Sequence, residues 1–87
     1  MTVATALIVD DEADIRELIA ITLTRMGWDF HAAASLEEAR NLLGLHPFDL
    51  CLTDMRLPDG NGVDFVKYAQ KNKPQTCLLY TSPSPRD

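Results

Sequence analysis

Four acidic side chains follow two short apolar segments in this sequence. Asp10, Asp11 and Glu12 come directly after the apolar run 5–9, and Asp54 comes directly after a second such run. Carboxylates that lie close together repel one another, and a bound divalent cation such as Mg²⁺, which prefers oxygen ligands, relieves that repulsion. Because Mg²⁺ takes only one or two protein carboxylates and keeps positions for phosphate oxygens, a cluster of this kind favours phosphoryl transfer.

The position of each acid predicts its role in such a site. Asp54 precedes the turn-rich stretch 57–62, which leaves room for in-line attack, so we predict that Asp54 is the nucleophile. Asp10 and Asp11 are then predicted to hold the metal ion. A simpler alternative is that the acids of residues 10–14 only stabilise the N-terminus of the following helix, through its dipole and free N–H groups. That alternative does not account for a lone acid after another apolar strand.

The strands that would position these acids can be predicted from their composition. Residues 5–9 and 49–53 are short apolar runs, typical of strands buried on both faces of a parallel sheet. Residues 28–33 alternate apolar and polar side chains, which predicts another strand. The carboxyl ends of parallel strands meet at one edge of a sheet, where ligands bind, so the acids after the first and third strands are expected to converge.

Three helices are predicted to connect and follow these strands. Apolar side chains at helical spacing predict a first helix of about 13 residues that ends before Gly27. Ser35 and Glu38 form the capping-box signature of a second helix that runs to about Leu45. This alternation through short loops predicts an α/β fold with right-handed crossovers. The third helix is predicted to bury one face, which carries Phe65, Val66 and Ala69.

Composition limits the classes of protein to which the chain can belong. Its 87 residues, 46% of them apolar, are enough for one small domain at most. The net charge of −5 and the scattered basic residues argue against a nucleic-acid-binding face. There is neither an apolar stretch of about 18 residues nor a signal-peptide pattern, so we expect no membrane contact and a cytoplasmic location. Cys51 and Cys77 are predicted to be reduced core residues, and His31 and His46 to have core or surface roles.

Two motifs resemble the receiver domains of bacterial two-component response regulators. They are Ala-Leu-Ile-Val-Asp-Asp-Glu at residues 6–12 and Leu-Thr-Asp-Met-Arg-Leu-Pro-Asp-Gly-Asn-Gly at residues 52–62. The resemblance extends over residues 5–76 and is greatest to sigma-54-dependent activators of the PilR/NtrC type. It implies a flavodoxin-like, doubly wound parallel sheet of strand order 2-1-3-4-5, truncated here after about strand four.

The same resemblance implies the roles of individual residues. Asp54 would be the phosphorylated aspartate, Asp11 a Mg²⁺ ligand assisted by Asp10, and Arg56 would offer its backbone carbonyl to the ion. A sensor histidine kinase would supply the phosphoryl group from a phosphohistidine. The phosphorylated domain would then control an output domain, concerned with transcription and absent from this chain. A phosphorylation-dependent dimer of the intact protein is compatible with this scheme.

Two other functions compete with this one. An aspartyl-phosphate phosphatase or phosphotransferase would use the same nucleophile, but such enzymes usually need a second acid just beyond it as general acid, and position 56 is Arg. We therefore expect that the chain is not an enzyme, beyond accepting the phosphoryl group and hydrolysing it in the intact domain. A receiver-like module that binds partners without phosphorylation would typically lack the acidic residues.

The last eleven residues differ in character from the rest. Residues 77–87 match the conceptual translation of a transposase sequencing adapter in every codon, so we predict a partial receiver domain at 1–76 and a non-native tail at 77–87. The receiver family's fourth-strand Thr or Ser would fall on Ser82, and its fifth-strand Lys has no counterpart. Apolar faces of the sheet and of the first helix would stay uncovered, so we expect the chain to be poorly stable.

Overall fold

Apart from a pair of two-residue strands after residue 54, strands and helices alternate along the chain in the order that the sequence predicts. The computed structural model describes residues 3–54, 56–57 and 60–80. The elements are β1 (Thr5–Val9), α1 (Ala13–Arg25), β2 (Asp29–Ala33), α2 (Leu36–Leu45), β3 (Leu50–Thr53), β4 (Arg56–Leu57), β5 (Gly60–Asn61), α3 (Gly62–Asn72) and β6 (Cys77–Tyr80).

Four strands form one parallel sheet, in the order β2-β1-β3-β6. Parallel neighbours require crossover connections, and α1, α2 and α3 supply them. The order reverses between β1 and β3, which makes the carboxyl ends of these two strands the switch point where ligands bind in doubly wound sheets. The predicted fold class is confirmed.

Alternate side chains of the sheet pack on opposite faces, as the two-residue period of a strand requires. Leu7 and Val9 of β1 belong to the larger core, which lies on the side of α2 and α3. Ala6 and Ile8 belong to a smaller cluster on the side of α1. The predicted face of α3 is confirmed, because its apolar side chains are buried: Phe65, Val66 and Ala69.

The α1 side of the sheet leaves apolar side chains in contact with solvent. Leu18 and Ile21 of α1 are 62% and 47% exposed, and Leu79 of β6 is 50% exposed. This agrees with the expectation that apolar faces of the sheet and of the first helix stay uncovered. The low stability expected from it stays a prediction. Among the described residues, no helix combines the length and the apolar character needed to cross a membrane.

The predicted capping box begins α2. The Ser35 hydroxyl accepts a hydrogen bond from the Glu38 N–H at 3.2 Å, and the Glu38 carboxylate accepts one from the Ala34 N–H at 2.9 Å. α1 ends as predicted, because Gly27 adopts a positive φ of 81° just beyond it. The beginning of α2 and the end of α1 therefore lie where local sequence signals place them.

The turn-rich stretch after β3 contains a short antiparallel pair, β4 with β5, that the sequence did not predict. Gly60 of β5 packs closely on α2: a Cβ at this position would lie 2.7 Å from Cδ1 of Leu36. A side chain at this position would displace the end of the Leu36 side chain, and glycine avoids that displacement. At this point the segment that follows Asp54 therefore lies against the beginning of α2.

The last described strand, β6, lies in the region predicted to be a non-native tail. It pairs in parallel with β3 at one edge of the sheet, and residues 81–87, including Ser82, lie outside the described residues. The division into residues 1–76 and 77–87 stays a prediction.

The cysteines and histidines are placed by the tertiary structure. Cys51 is buried as predicted, but the prediction that Cys77 is a core residue is wrong. Its thiol is free and exposed, because Cys77 pairs with Leu50 on the α1 side of the sheet, where Leu79 of the same strand is also exposed. His31 and His46 stack on each other, with ring centroids 4.4 Å apart, and both lie edge-on to Phe48.

Candidate functional site

Two parallel strands bring Asp10 and Asp54 to the same edge of the sheet. Val9 and Thr53 are partners in the register of β1 with β3, so the residues that follow them leave the sheet side by side. The Asp54 N–H donates a hydrogen bond to the Val9 carbonyl at 3.0 Å, which continues the ladder by one residue. The Asp10 N–H donates to the Ala33 carbonyl of β2 at 3.1 Å. Both backbones are therefore fixed by the sheet.

The structure gathers three of the predicted acids into one cluster. Asp10, Asp11 and Asp54 each offer a carboxylate oxygen, and these oxygens all lie within 4.8 Å of one another. In an octahedral Mg²⁺ site with ligand distances of about 2.1 Å, opposite ligand oxygens are about 4.2 Å apart. The cluster therefore has about the size of a magnesium site, and its hard carboxylate oxygens are the ligands that Mg²⁺ prefers.

The three acids differ in their exposure to solvent. Asp10 is buried, with 4% of its surface exposed, Asp54 is half-buried and Asp11 is exposed. A metal ion could therefore approach from the side of Asp11, while Asp10 forms the floor of the cluster. Asp54 combines access from solvent with a backbone anchored to β1, as a nucleophile for in-line attack requires.

Burial and the neighbouring carboxylates both raise the pKa of the Asp10 carboxyl. Desolvation by burial raises the pKa of the Asp10 carboxyl above its ordinary value of 3.8, and the charges of Asp54 and Asp11 raise it further. The hydrogen bond from the Glu12 N–H to Asp10 Oδ1, 2.9 Å long, and the charge of Arg16 oppose this rise. A bound cation would favour the charged form of the Asp10 carboxylate.

A positively charged residue also contacts the cluster, and the sequence argument did not identify it. Arg16, in the first turns of α1, donates a hydrogen bond from Nη1 to the Asp10 carbonyl oxygen at 2.7 Å. The signal available in the sequence was an arginine placed six residues after the first acid of the pair, near the beginning of a helix. An arginine at such a position is usually a solvated helix residue, so its spacing alone does not reveal the contact.

The simpler alternative, in which the acids only cap α1, explains part of the geometry. Asp14 lies in the first turn of α1, where an acid interacts favourably with the helix dipole. Glu12 occupies the N-cap position but makes no capping hydrogen bond with its side chain. Helix capping does not explain why the Asp54 carboxylate, from a different strand, lies with Asp10 and Asp11.

The remaining predicted ligand, the backbone carbonyl of Arg56, belongs to β4, two residues beyond Asp54. Residue 55 and residues 58–59 lie outside the described residues. The contribution of Arg56 to a metal site stays a prediction.

Comparison with known proteins identifies the family. The profile described as "Response regulator receiver domain" matches residues 6–85, which is most of the chain. The chain therefore belongs to the family of response regulator receiver domains.

Individual relatives agree with this assignment. The chain is 65% identical over 71 residues to the response regulator protein PilR of Pseudomonas aeruginosa, a match that covers 82% of this chain and 16% of PilR. It is 32% identical over 82 residues to the DNA-binding transcriptional regulator NtrC of Rhizobium meliloti, covering 94% of this chain and 17% of NtrC. The chain thus spans about one sixth of the length of these two relatives. The predicted resemblance to regulators of the PilR/NtrC type is confirmed.

A solved structure shows the same fold. The chemotaxis response regulator CheY4 of Vibrio cholerae superposes with a TM-score of 0.86 and 32% sequence identity, over 97% of this chain and 73% of that chain. The relatives are response regulators and transcription regulators, which does not favour the enzyme alternative.

Proposed function

We propose that this chain is a phosphoryl-accepting receiver, with Asp54 as the acceptor and Asp10, Asp11 and Asp54 as carboxylate ligands of Mg²⁺. The backbone carbonyl of Arg56 would complete the set of protein ligands. The observation that carries the proposal is the gathering of three carboxylates, two of them after neighbouring parallel strands, within 4.8 Å of one another. Membership of the receiver family supports it independently.

The chemistry proposed for Asp54 is a nucleophilic substitution at phosphorus. A carboxylate oxygen of Asp54 forms a bond to the phosphorus of a phosphohistidine, while the bond from phosphorus to the donor nitrogen breaks and its electron pair stays on the imidazole. Bound Mg²⁺ would supply positive charge that offsets the charge on the transferring oxygens. The carboxylates of Asp10 and Asp11 would hold the ion, and the hydrogen bond from the Asp54 N–H to the Val9 carbonyl fixes the backbone of the nucleophile.

The partners and the output follow from the family. We propose a sensor histidine kinase in the cytoplasm as the phosphoryl donor and, as the output, a transcription-regulating domain outside this chain. Phosphorylation would act by favouring one of two conformers of the receiver, and a dimer of the intact protein is one such state. Apart from accepting the phosphoryl group and losing it by hydrolysis, the domain would catalyse no reaction.

A small phosphodonor tests the acceptor directly. Acetyl phosphate with Mg²⁺ is expected to add one phosphoryl group to the chain, detected as a mass increase in intact-protein mass spectrometry. The Asp54→Asn variant is expected to show no increase, because an amide cannot form the acyl phosphate.

The matched control for this experiment is Asp64→Asn. Asp64 is an exposed acid in the first turn of α3, so its removal changes the net charge equally and should leave labelling unchanged. Equal labelling of the Asp54→Asn variant and of the wild type would refute the assignment of the acceptor. Labelling that persists at full rate in EDTA would refute the metal requirement.

A further inference from the structure

The turn between β1 and α1 is fixed by three hydrogen bonds that converge on one residue. The Asp10 N–H donates to the Ala33 carbonyl, Asp10 Oδ1 accepts from the Glu12 N–H, and the Asp10 carbonyl accepts from Arg16 Nη1. The bond to Ala33 continues the pairing of β1 with β2, and the bond from Glu12 lies within the turn. In the third alone the donor is a side chain. The length of that hydrogen bond, 2.7 Å, is typical of a charged donor.

The Asp10 carbonyl belongs to the peptide group that joins Asp10 to Asp11. A peptide group is planar, so the direction of its carbonyl fixes its N–H and the Cα position of Asp11, and leaves only the φ rotation of Asp11 to set the direction of its Cα–Cβ bond. The guanidinium that holds this carbonyl therefore acts on Asp11. Asp11 is the exposed member of the cluster, so burial in the core does not fix its direction as it does for Asp10.

We propose that Arg16 is a positioning residue of the metal site: by holding the Asp10–Asp11 peptide group, it keeps the Asp11 carboxylate directed toward those of Asp10 and Asp54. This inference rests on the proposed function, since it concerns the same metal site. Arg16 touches neither substrate nor metal in this scheme and acts through Asp11 alone.

Positioning and charge predict opposite effects of removing Arg16. A guanidinium beside three carboxylates repels an incoming cation, so a purely electrostatic role predicts tighter Mg²⁺ binding when the charge is removed. A positioning role predicts weaker Mg²⁺ binding. Without Arg16 the Asp11 carboxylate is less ordered, and ordering it when the ion binds costs free energy. Residues that orient metal ligands typically contribute about 10-fold to 100-fold in metal affinity.

Titration of the whole 87-residue chain with Mg²⁺, followed by NMR amide shifts, distinguishes these effects. Arg16→Met is expected to weaken Mg²⁺ binding by about 10-fold. Arg16→Lys should recover most of the affinity, because an ammonium can donate the same single hydrogen bond. Arg25→Met is the matched control: Arg25 lies in the last turn of the same helix, is exposed, and loses the same charge without affecting the turn.

A double-mutant cycle tests whether Arg16 acts through Asp11. In an Asp11→Asn background, Arg16→Met should cause less than about a twofold further loss of affinity, because the residue it positions no longer supplies a carboxylate. Full additivity of the two losses, or tighter binding by Arg16→Met, would overturn the inference.

A measurement without metal separates this inference from the proposed function. The heteronuclear ¹⁵N NOE of the Asp11 amide should fall in metal-free Arg16→Met and stay at the wild-type value in Arg25→Met. If the wild-type chain binds no Mg²⁺, the metal assignment fails, and this NOE still decides whether Arg16 orders Asp11. An unchanged NOE would refute the positioning role whatever the result for Mg²⁺.

Discussion

Replacing Asp10 with Asn should stabilise the metal-free chain and abolish its stabilisation by Mg²⁺. Asp10 is buried beside two other carboxylates, and its pKa is raised by desolvation and by the charges of Asp54 and Asp11. An asparagine keeps the oxygen that accepts the Glu12 N–H and removes the negative charge. The substitution therefore relieves a cost of folding while it removes a metal ligand.

The size of the stabilisation follows from the separation of the carboxylates. At 4.8 Å, the upper limit of the separations between the ligand oxygens, two unit charges repel by about 1 kcal/mol at the dielectric constant of water and by about 3.5 kcal/mol at an effective dielectric constant of 20. Asp10 is buried and Asp11 is exposed, so an effective dielectric constant between these two applies to the cluster. We expect the Asp10→Asn variant to be more stable by about 1–3 kcal/mol at pH 7 in EDTA and low salt.

The stability difference between Asp10→Asn and the wild type should increase with pH. The pKa of Asp10 in the folded chain lies above the ordinary value of 3.8, so the folded state binds the proton more tightly than the unfolded state. The destabilisation by Asp10 is therefore absent below pH 3.8 and develops as the pH rises through the folded-state pKa. The stability difference between Asp10→Asn and the wild type should grow across this window and then stay constant.

Urea unfolding followed by circular dichroism measures these effects. In EDTA the variant should have the higher midpoint. With Mg²⁺ at about 100 times its dissociation constant, the wild type alone should gain about 2.7 kcal/mol. Asp29→Asn is the control, since Asp29 is exposed and begins β2 at the end of the strand away from the cluster. A metal-free Asp10→Asn variant less stable than the wild type, or one that Mg²⁺ stabilises equally, would refute the reasoning.

Two further predictions concern the core and the thiols. Leu43→Ala should destabilise the chain by about 2–5 kcal/mol, because Leu43 on α2 is only 1% exposed. Leu45→Ala, on the same helix, should destabilise it by less than about 0.5 kcal/mol, because Leu45 is 74% exposed. Equal shifts of the urea midpoint in the two variants would contradict the packing of α2. In the native chain a disulfide reagent should modify Cys77 alone, because Cys51 is buried and burial raises the pKa of its thiol to about 12. Peptide mapping by mass spectrometry checks this, and modification of both thiols before unfolding would contradict it.

Local patterns in the sequence predicted most of the elements. The first helix, the capping box of α2 and the buried face of α3 were recognisable because apolar spacing and capping residues act within a few positions of the chain. Even so, the pair β4 with β5 was not predicted. Turn-forming residues at 57–62 allow several short conformations, and packing of Gly60 against Leu36 contributes to the one observed.

The prediction for Cys77 failed for a similar reason. An apolar run indicates that a strand is buried in a sheet, and it does not indicate whether the strand is central or at an edge. Cys77 begins β6, whose only strand partner among the described residues is β3, and its side chain is exposed. Leu78 of the same strand packs on the larger core, so the exposure of Cys77 depends on which elements cover the α1 side of β6, and this is a property of the tertiary structure.

The sequence by itself determined which residues could do the chemistry: two acids after one apolar strand and one acid after another, in the motifs of a receiver domain. It also predicted that they converge, because parallel strands place their carboxyl ends at one edge of the sheet. Only the tertiary structure decided how close they come, since the register of Val9 with Thr53 joins segments 44 residues apart. It alone revealed the contact of Arg16 with the Asp10 carbonyl, because a long side chain on a helix can take many directions and packing selects one.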